Sequence, residues 1–293
     1  MLLVALPQDC TFIAAHKHGV SLWAQTAKVT TITDDGDTRY FFVKIARGDV
    51  ARDMFRGEFE GMTLIADAIP GFAPKPVAWG AFEDQAEHHY FLSQFVDMVH
   101  DGVPEETILC QKLAQLHKSV KSPTGKFGFH MDTCNGNIRQ KNDWDDSWEV
   151  FFATGLRYML SLDLEKNGEQ PALAEAIQPI FDRVIPRLLR PLHGKITPSL
   201  VHGDLWCGNC ANTTMPDTPV IFDAAVFYAH HEYELGNWRP ARNNFTKEYI
   251  NKYKSHYNTV EAWGFDDRLQ LYELRFNFHY CLMVDGLGDI KQQ

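Results

Sequence analysis

No run in this 293-residue chain approaches the roughly 20 consecutive apolar residues that span a bilayer, so a helical membrane span is excluded. A basic patch is missing too. The 28 basic residues are outnumbered by 38 acidic ones, and the resulting formal charge of -10 repels nucleic-acid phosphates and anionic lipid surfaces. Met1 to Pro7 lacks the basic stretch of a secretion signal and no cleavage pattern follows it, so a cytoplasmic location is expected. The cysteines Cys10, Cys110, Cys134, Cys207, Cys210 and Cys281 are too sparse for a disulfide framework and are expected to be reduced. No fixed-period repeat or low-complexity segment is present. Nothing in the pattern specifies an oligomeric state.

The composition is that of an ordinary globular protein, 45% hydrophobic and 23% charged, and at roughly 150 residues per folding unit the length suggests about two units or one large one. Arg39 to Ile45 is aromatic and β-branched and follows the turn-like Asp34 to Asp37, which predicts a hairpin whose first arm is Val29 to Thr33. From Asp49 to Ala68 the period changes, with Met54, Phe55, Met62 and Ile65 at helical steps, and Pro70-Gly71 ends the helix. Strands are expected at Pro76 to Phe82 and Tyr90 to Phe95. Beyond Val96 the sequence turns helical, at Glu105 to Lys118, Trp148 to Glu165, Ala172 to Leu189, Thr246 to Tyr257 and Asp266 to Val284. Two β-prone runs, Ser199 to His202 and Pro219 to Phe222, interrupt them. The predicted class is α+β, with a β-rich lobe of residues 1–97 joined near Gln94 to Met98 to a helical lobe of residues 98–293. A cleft between lobes is a common place for a ligand.

Two charges stand where apolar residues belong. Glu58 falls on the apolar face of the helix, and Lys44 interrupts the strand Phe41 to Ile45. Either they pair, as the strand lysine and helix glutamate do where a kinase aims an ammonium at nucleotide phosphates, or Glu58 edges the face and Lys44 snorkels to water. The run Leu200 to Asn209 favours pairing. It delivers His202, Gly203, Asp204 and Asn209 on one loop, and phosphoryl transfer needs a carboxylate for the attacking hydroxyl and an amide oxygen for magnesium. The strand Val220 to Phe222 then delivers Asp223, a second metal-binding oxygen. The competing reading is an Asx turn at Asp204 and a helix cap at Asp223. Cys207 and Cys210 form a C-x-x-C, but a structural zinc needs about four ligands and no second pair stands nearby. A disulfide there would distort the magnesium loop.

With the segments Phe42 to Ile45, Met54 to Glu58, Lys126 to Gly136, Trp144 to Phe152, His202 to Asn209 and Phe222 to Gly236, these residues resemble the fructosamine-3-kinase (ketosamine-3-kinase) family. The resemblance covers most of the chain and implies a protein-kinase-like two-lobe fold shared with aminoglycoside phosphotransferases and choline kinases. It implies an ATP- and Mg²⁺-dependent kinase that phosphorylates the sugar 3-hydroxyl of ketosamines, ribulosamines as well as fructosamines, free or on glycated proteins, and so initiates deglycation. By that resemblance Asp204 is the catalytic base, Asn209 and Asp223 are magnesium ligands, and Lys44 with Glu58 aims the phosphates. The Gln94 carbonyl and the Val96 amide, flanking Phe95, would meet the adenine edge. Gly19 and Ser21 would line the phosphate loop, which lacks the expected glycine-rich run. Trp206 is expected on the apolar face of a sugar, or else bracing the loop. Glu232 or Glu234 would face a substrate amine, with Glu234 alternatively anchoring the catalytic loop. Ala224 stands where the family often has proline, and the end at Gln293 suggests a shortened terminal helix. A choline- or aminoglycoside-type kinase and a catalytically inactive nucleotide-binding protein are the rival readings.

Overall fold

The expected hairpin forms as two strands of a five-stranded antiparallel sheet in this computed structural model, which describes residues 5–99, 102–215 and 218–283. The strands are β1 (Cys10–Lys17), β2 (Gln25–Thr33), β3 (Thr38–Arg47), β4 (Pro76–Phe82) and β5 (Gln85–Gln94), in the order β1-β2-β3-β5-β4. Thr33 and Asp37 close the β2–β3 turn through Thr33 N to Asp37 O at 2.8 Å, and Gly36 sits at φ 87, a left-handed conformation glycine adopts without strain. Val29, Phe41, Val43 and Leu92 alternate onto the buried side of the sheet.

Helix α1 (Asp49–Ala68) packs on this sheet through Ala51 and Phe55, with Phe91 of β5 in the same cluster. Its other buried residues, Met62 and Ile65, belong to the core of the helical lobe, so one amphipathic helix serves both. Gly61 permits this docking, because a Cβ there would lie 2.6 Å from the Val226 side chain.

The short strand β6 (Met98–Val99) follows, then α2 (Glu106–Ser119), β7 (Cys134–Asn135), β8 (Ile138–Arg139) and α3 (Trp148–Asn167). The single helix expected over Ala172 to Leu189 is broken into α4 (Pro171–Pro179), a π-helical turn over Ile180–Val184, and α5 (Ile185–Leu189). Pro179 and Pro186 lack the N–H that regular helical bonding requires, which explains the interruption. Then come β9 (Ser199–Val201), β10 (Cys210–Thr213), β11 (Pro219–Ile221), β12 (Phe227–Ala229), α6 (Glu232–Gly236), α7 (Lys247–His256) and α8 (Phe265–Met283). The expected end of the last helix at Val284, and the shortened terminus, lie outside the described residues.

Seven elements were not expected from the sequence: β1, β6, β7, β8, β10, β12 and α6. β10 and β12 flank the segment His202 to Asn209 singled out above. β12 pairs antiparallel with β9, and β10 pairs with β11, so the loops that leave β9 and β11 emerge side by side. β6 completes the β11-β10-β6 sheet and ties residues 98–99 to this part of the molecule. No helix among the described residues is long and apolar enough to cross a membrane.

Candidate active site

Lys44 is buried, 8% exposed, and its ammonium is held on both sides. Nζ lies 2.7 Å from Glu58 Oε1 and 2.6 Å from Asp223 Oδ1. The inward turn of a strand lysine is thereby explained: β3 aims it from the sheet, α1 brings Glu58, and the loop after β11 brings Asp223. Burial by itself lowers the lysine pKa, but the Asp223 and Glu58 carboxylates outweigh it and hold the ammonium above its ordinary range. Burial pushes Glu58 upward, against the pull of Lys44. Asp223 keeps 46% of its side chain exposed and adopts φ 60, a backbone conformation rare for a non-glycine residue.

The loop after β9 is built around two buried groups. His202 is fully buried, and its ring bridges the loops after β9 and β11: Nε2 meets Phe222 O at 2.9 Å and Nδ1 accepts from Asp204 N at 3.3 Å. That pattern defines a neutral imidazole with its proton on Nε2, and burial lowers its pKa accordingly. Glu234 of α6 accepts from the amides of His202 and Gly203. Gly203 itself is obligatory. It has φ 80, and a Cβ would come 2.3 Å from Ala225 O.

Asp204 and Asn209 come together as the spacing implied. Asn209 Nδ2 donates to the Asp204 carbonyl at 2.8 Å and to its Oδ2 at 3.0 Å. With the amide nitrogen spent on Asp204, Oδ1 of Asn209 is the acceptor left for a cation. Asp204 titrates well above the ordinary carboxylate range; burial is the main cause, reinforced by the Asp223 and Glu234 charges and opposed by hydrogen bonds from Asn135 and Asn209. Asn135 of β7 is a residue the sequence reading did not single out, although it lies in the quoted segment Lys126 to Gly136. Its Nδ2 also reaches Gly203 O at 3.5 Å.

The remaining expected residues lie on other elements. Gly19, at φ 76, and Ser21 sit in the β1–β2 connection, where Ser21 Oγ accepts from Trp23 N and Ala24 N, both at 3.2 Å. The serine thus shapes the loop and retains one hydroxyl hydrogen to donate. Gln94 ends β5 and Phe95 follows it, with Gln94 N bonded to Lys75 O and Phe95 N to Tyr40 O, while the Val96 amide has no hydrogen bond among the described residues. The His18 ring packs edge-on against Phe95 at 5.0 Å, so the β1–β2 connection touches the segment that follows β5. Trp206 is 40% exposed, with its indole over Gly208.

Glu232 corrects an expectation. It is fully buried and bound by Arg268 through Nε at 2.7 Å and Nη2 at 3.0 Å, so it does not face a substrate amine. Arg268 lies 36 residues away in a different helix, which no local spacing reveals. Of the two acidic residues weighed, Glu234 serves as the anchor of the catalytic loop. Cys207 and Cys210 are not joined in a disulfide, and burial pushes Cys210 up to about 12.

Comparison with known proteins places this geometry. The fructosamine kinase family model matches residues 17–287, nearly the whole chain. The chain belongs to the fructosamine kinase family. Among curated members, the mouse (Mus musculus) ketosamine-3-kinase is 33% identical over 270 residues, spanning 84% of this chain and 82% of the mouse protein. The chloroplastic protein-ribulosamine 3-kinase of Oryza sativa subsp. japonica is 30% identical over 260 residues, spanning 85% of this chain and 70% of the rice protein. The fold agrees with that of a candidate fructosamine-3-kinase from Haemophilus somnus 129PT, with a TM-score of 0.78 at 22% identity over 99% of this chain and 93% of that one. The fructosamine kinase fold also extends to an aminoglycoside phosphotransferase solved with AMP-PNP and hygromycin B, at a TM-score of 0.60 and 14% identity over 93% of this chain and 87% of that one.

Proposed function

We propose that this protein transfers the γ-phosphoryl group of ATP to the sugar 3-hydroxyl of a ketosamine, free or protein-bound, and so starts removal of the adduct. The names of the mouse and rice relatives support the acceptor class, and the nucleotide analogue held by the aminoglycoside phosphotransferase supports ATP as donor. The observation that carries the reading is the Lys44 ammonium bonded at once to Glu58 and Asp223, a cation pointed from the sheet at the loop that flanks Asp204.

In this reading Asp204 accepts the hydrogen bond of the acceptor hydroxyl and takes its proton as that oxygen bonds to phosphorus and the bond from phosphorus to the ADP oxygen breaks. The raised pKa of its carboxyl makes it a better proton acceptor than an exposed aspartate. Lys44 steadies the phosphates that are not transferred, and Glu58 keeps the ammonium on that line. The Gln94 carbonyl and Val96 amide address the adenine edge beside Phe95, Gly19 and Ser21 cover the phosphates, and the exposed indole of Trp206 packs on the sugar. The two substrates meet in the cleft between residues 1–97 and residues 98–293.

The donor set fits magnesium. Asp223 and Asn209 offer hard oxygens, and the bonds of Asn209 Nδ2 to Asp204 leave Oδ1 as its open atom. Mg²⁺ bound there would neutralise phosphate charge.

Asp204→Asn tests the assignment, since it keeps the shape and removes the base. Ketosamine-dependent ADP release should fall by about 10² to 10⁴, while ATP binding followed by tryptophan fluorescence stays near wild type. Full turnover in the variant would refute the role of Asp204.

A further inference from the structure

A small cavity between α3, α6 and α8 is unusual in its charge. Its volume is about 30 Å³, and since a single water requires roughly 10–15 Å³ by this measure it has room for about two waters or one carboxylate group. Trp148, Phe151 and Phe152 of α3, Phe227 of β12 and Tyr233 of α6 form apolar walls. Arg275 of α8 and Lys141 of the loop before α3 also line it, and no carboxylate does among the described residues.

Arg275 is only 6% exposed, yet its Nη1 has no hydrogen-bond partner, and the residue enters no ion pair among the described residues. The same molecule treats its other buried cations differently. Lys44 is held by Glu58 and Asp223, and Arg268 by Glu232. Burying a guanidinium without a counter-charge is costly, and aromatic walls that exclude water make its attraction for an anion stronger. Lys141 adds a second cation from the exposed side, its Nζ 5.4 Å from the ring of Tyr158, which also lines the cavity.

The cavity adjoins the catalytic segment. Phe227 lies 3.4 Å from the position a Cβ would take on Gly203, next to Asp204. Gln140, in the lining, donates to Ala225 O at 2.8 Å, on the stretch that follows Asp223. Tyr233 stands in the fields of both Arg275 and Asp204.

We propose that this cavity is a carboxylate-binding subsite in which Arg275 Nη1 donates to the carboxylate and Lys141 faces it from the open side. Two sources share that chemistry: the carboxylate of the amino acid that forms the amine part of a ketosamine, and a free small carboxylate. The first rests on the kinase reading above; the second does not.

The test has two arms. Sodium acetate is exchanged for sodium chloride at constant ionic strength and the melting temperature is followed in wild type, Arg275→Met and Arg275→Lys. Acetate should raise it in wild type, should lose that effect in Arg275→Met, and should keep part of it in Arg275→Lys. In the second arm, fructosyl-glycine is compared with fructosyl-glycinamide. A charged hydrogen bond predicts a kcat/KM ratio of about tenfold in favour of the carboxylate, expressed in KM and falling toward one in Arg275→Met. Stabilisation by acetate with a ratio of one in wild type assigns the site to a free carboxylate. No acetate effect together with a ratio of one overturns the subsite, and the wild-type acetate response decides this even if Arg275→Met does not fold. If neither ketosamine is turned over, the kinase reading fails, and the acetate arm still decides the subsite.

Discussion

Glu234 shows how much a single carboxylate contributes to this site without meeting a substrate. It lies fully buried and receives the backbone amides of His202 and Gly203, while His117 Nε2 stands 3.7 Å away. A carboxylate accepts at both oxygens; an amide accepts at one and turns N–H groups toward a donor. Glu234→Gln should therefore leave one loop amide unsatisfied and destabilise the fold by about 1–3 kcal/mol, read as a lower urea midpoint. The same change should lower kcat more than the KM for ATP, because the loop it anchors carries Asp204. A variant with wild-type stability and kcat would show that the two amides find another acceptor. The sequence raised this role for Glu234 as an alternative to facing an amine. It could not choose, because the pairing of Glu232 with Arg268 across 36 residues is set by how α6 packs on α8.

The candidate active site is an assembly of short elements that hold one another. β9 and β12 contribute three residues each, too few for a period of two to register; β9 shows in the sequence only as a short β-prone run, and β12 not at all. Their pairing places the loop after β9 against the stretch that follows β11, where His202 O accepts from Ala225 N at 2.9 Å and Phe222 N donates to Asn209 O at 3.0 Å. Gly203 is the tightest point of that contact. Gly36 offers a control, since it has a similar positive φ, 87, but open space where a Cβ would go. Gly36→Ala should cost only the conformational strain, about 1–2 kcal/mol. Gly203→Ala adds a clash with the Ala225 carbonyl, and should lower stability further and remove most phosphate transfer. Equal effects of the two substitutions in urea unfolding and in ketosamine-dependent ADP release would mean that the loop moves away at no cost. By contrast, α1 was read correctly from Asp49 to Ala68, because twenty residues of amphipathic pattern leave little ambiguity.

At the scale of the whole molecule, the helical lobe encloses a set of neutral histidines, His117, His202, His230, His231 and His279, whose pKa values burial lowers. His279 is the clearest case, carried down to about 3 by burial and by the Arg275 charge four residues away. The unfolded chain, with a histidine pKa of about 6.5, binds the proton that the folded chain refuses, so the contribution of His279 is complete above that pH and is lost as the pH falls below it. Between pH 7.5 and pH 5.5 the stability of His279→Leu relative to wild type should rise by about 1.4 kcal/mol, measured from urea unfolding at the two values. Parallel behaviour of the two proteins would show that His279 protonates freely in the folded state. The β-rich N-terminal part and helical remainder, the span of α1, the presence of the hairpin and the candidate set Lys44, Glu58, Asp204, Asn209 and Asp223 were legible in the sequence alone, because amphipathic periods, stranded charges and short spaced motifs are local signals. The burial of Glu232 against Arg268, the anchoring of the loop by Glu234, the entry of Asn135 and the place of Arg275 in an aromatic cavity, without an ion pair among the described residues, were decided only by the tertiary structure. Each depends on which distant side chain arrives within hydrogen-bonding distance, and packing across the chain, not local pattern, determines that.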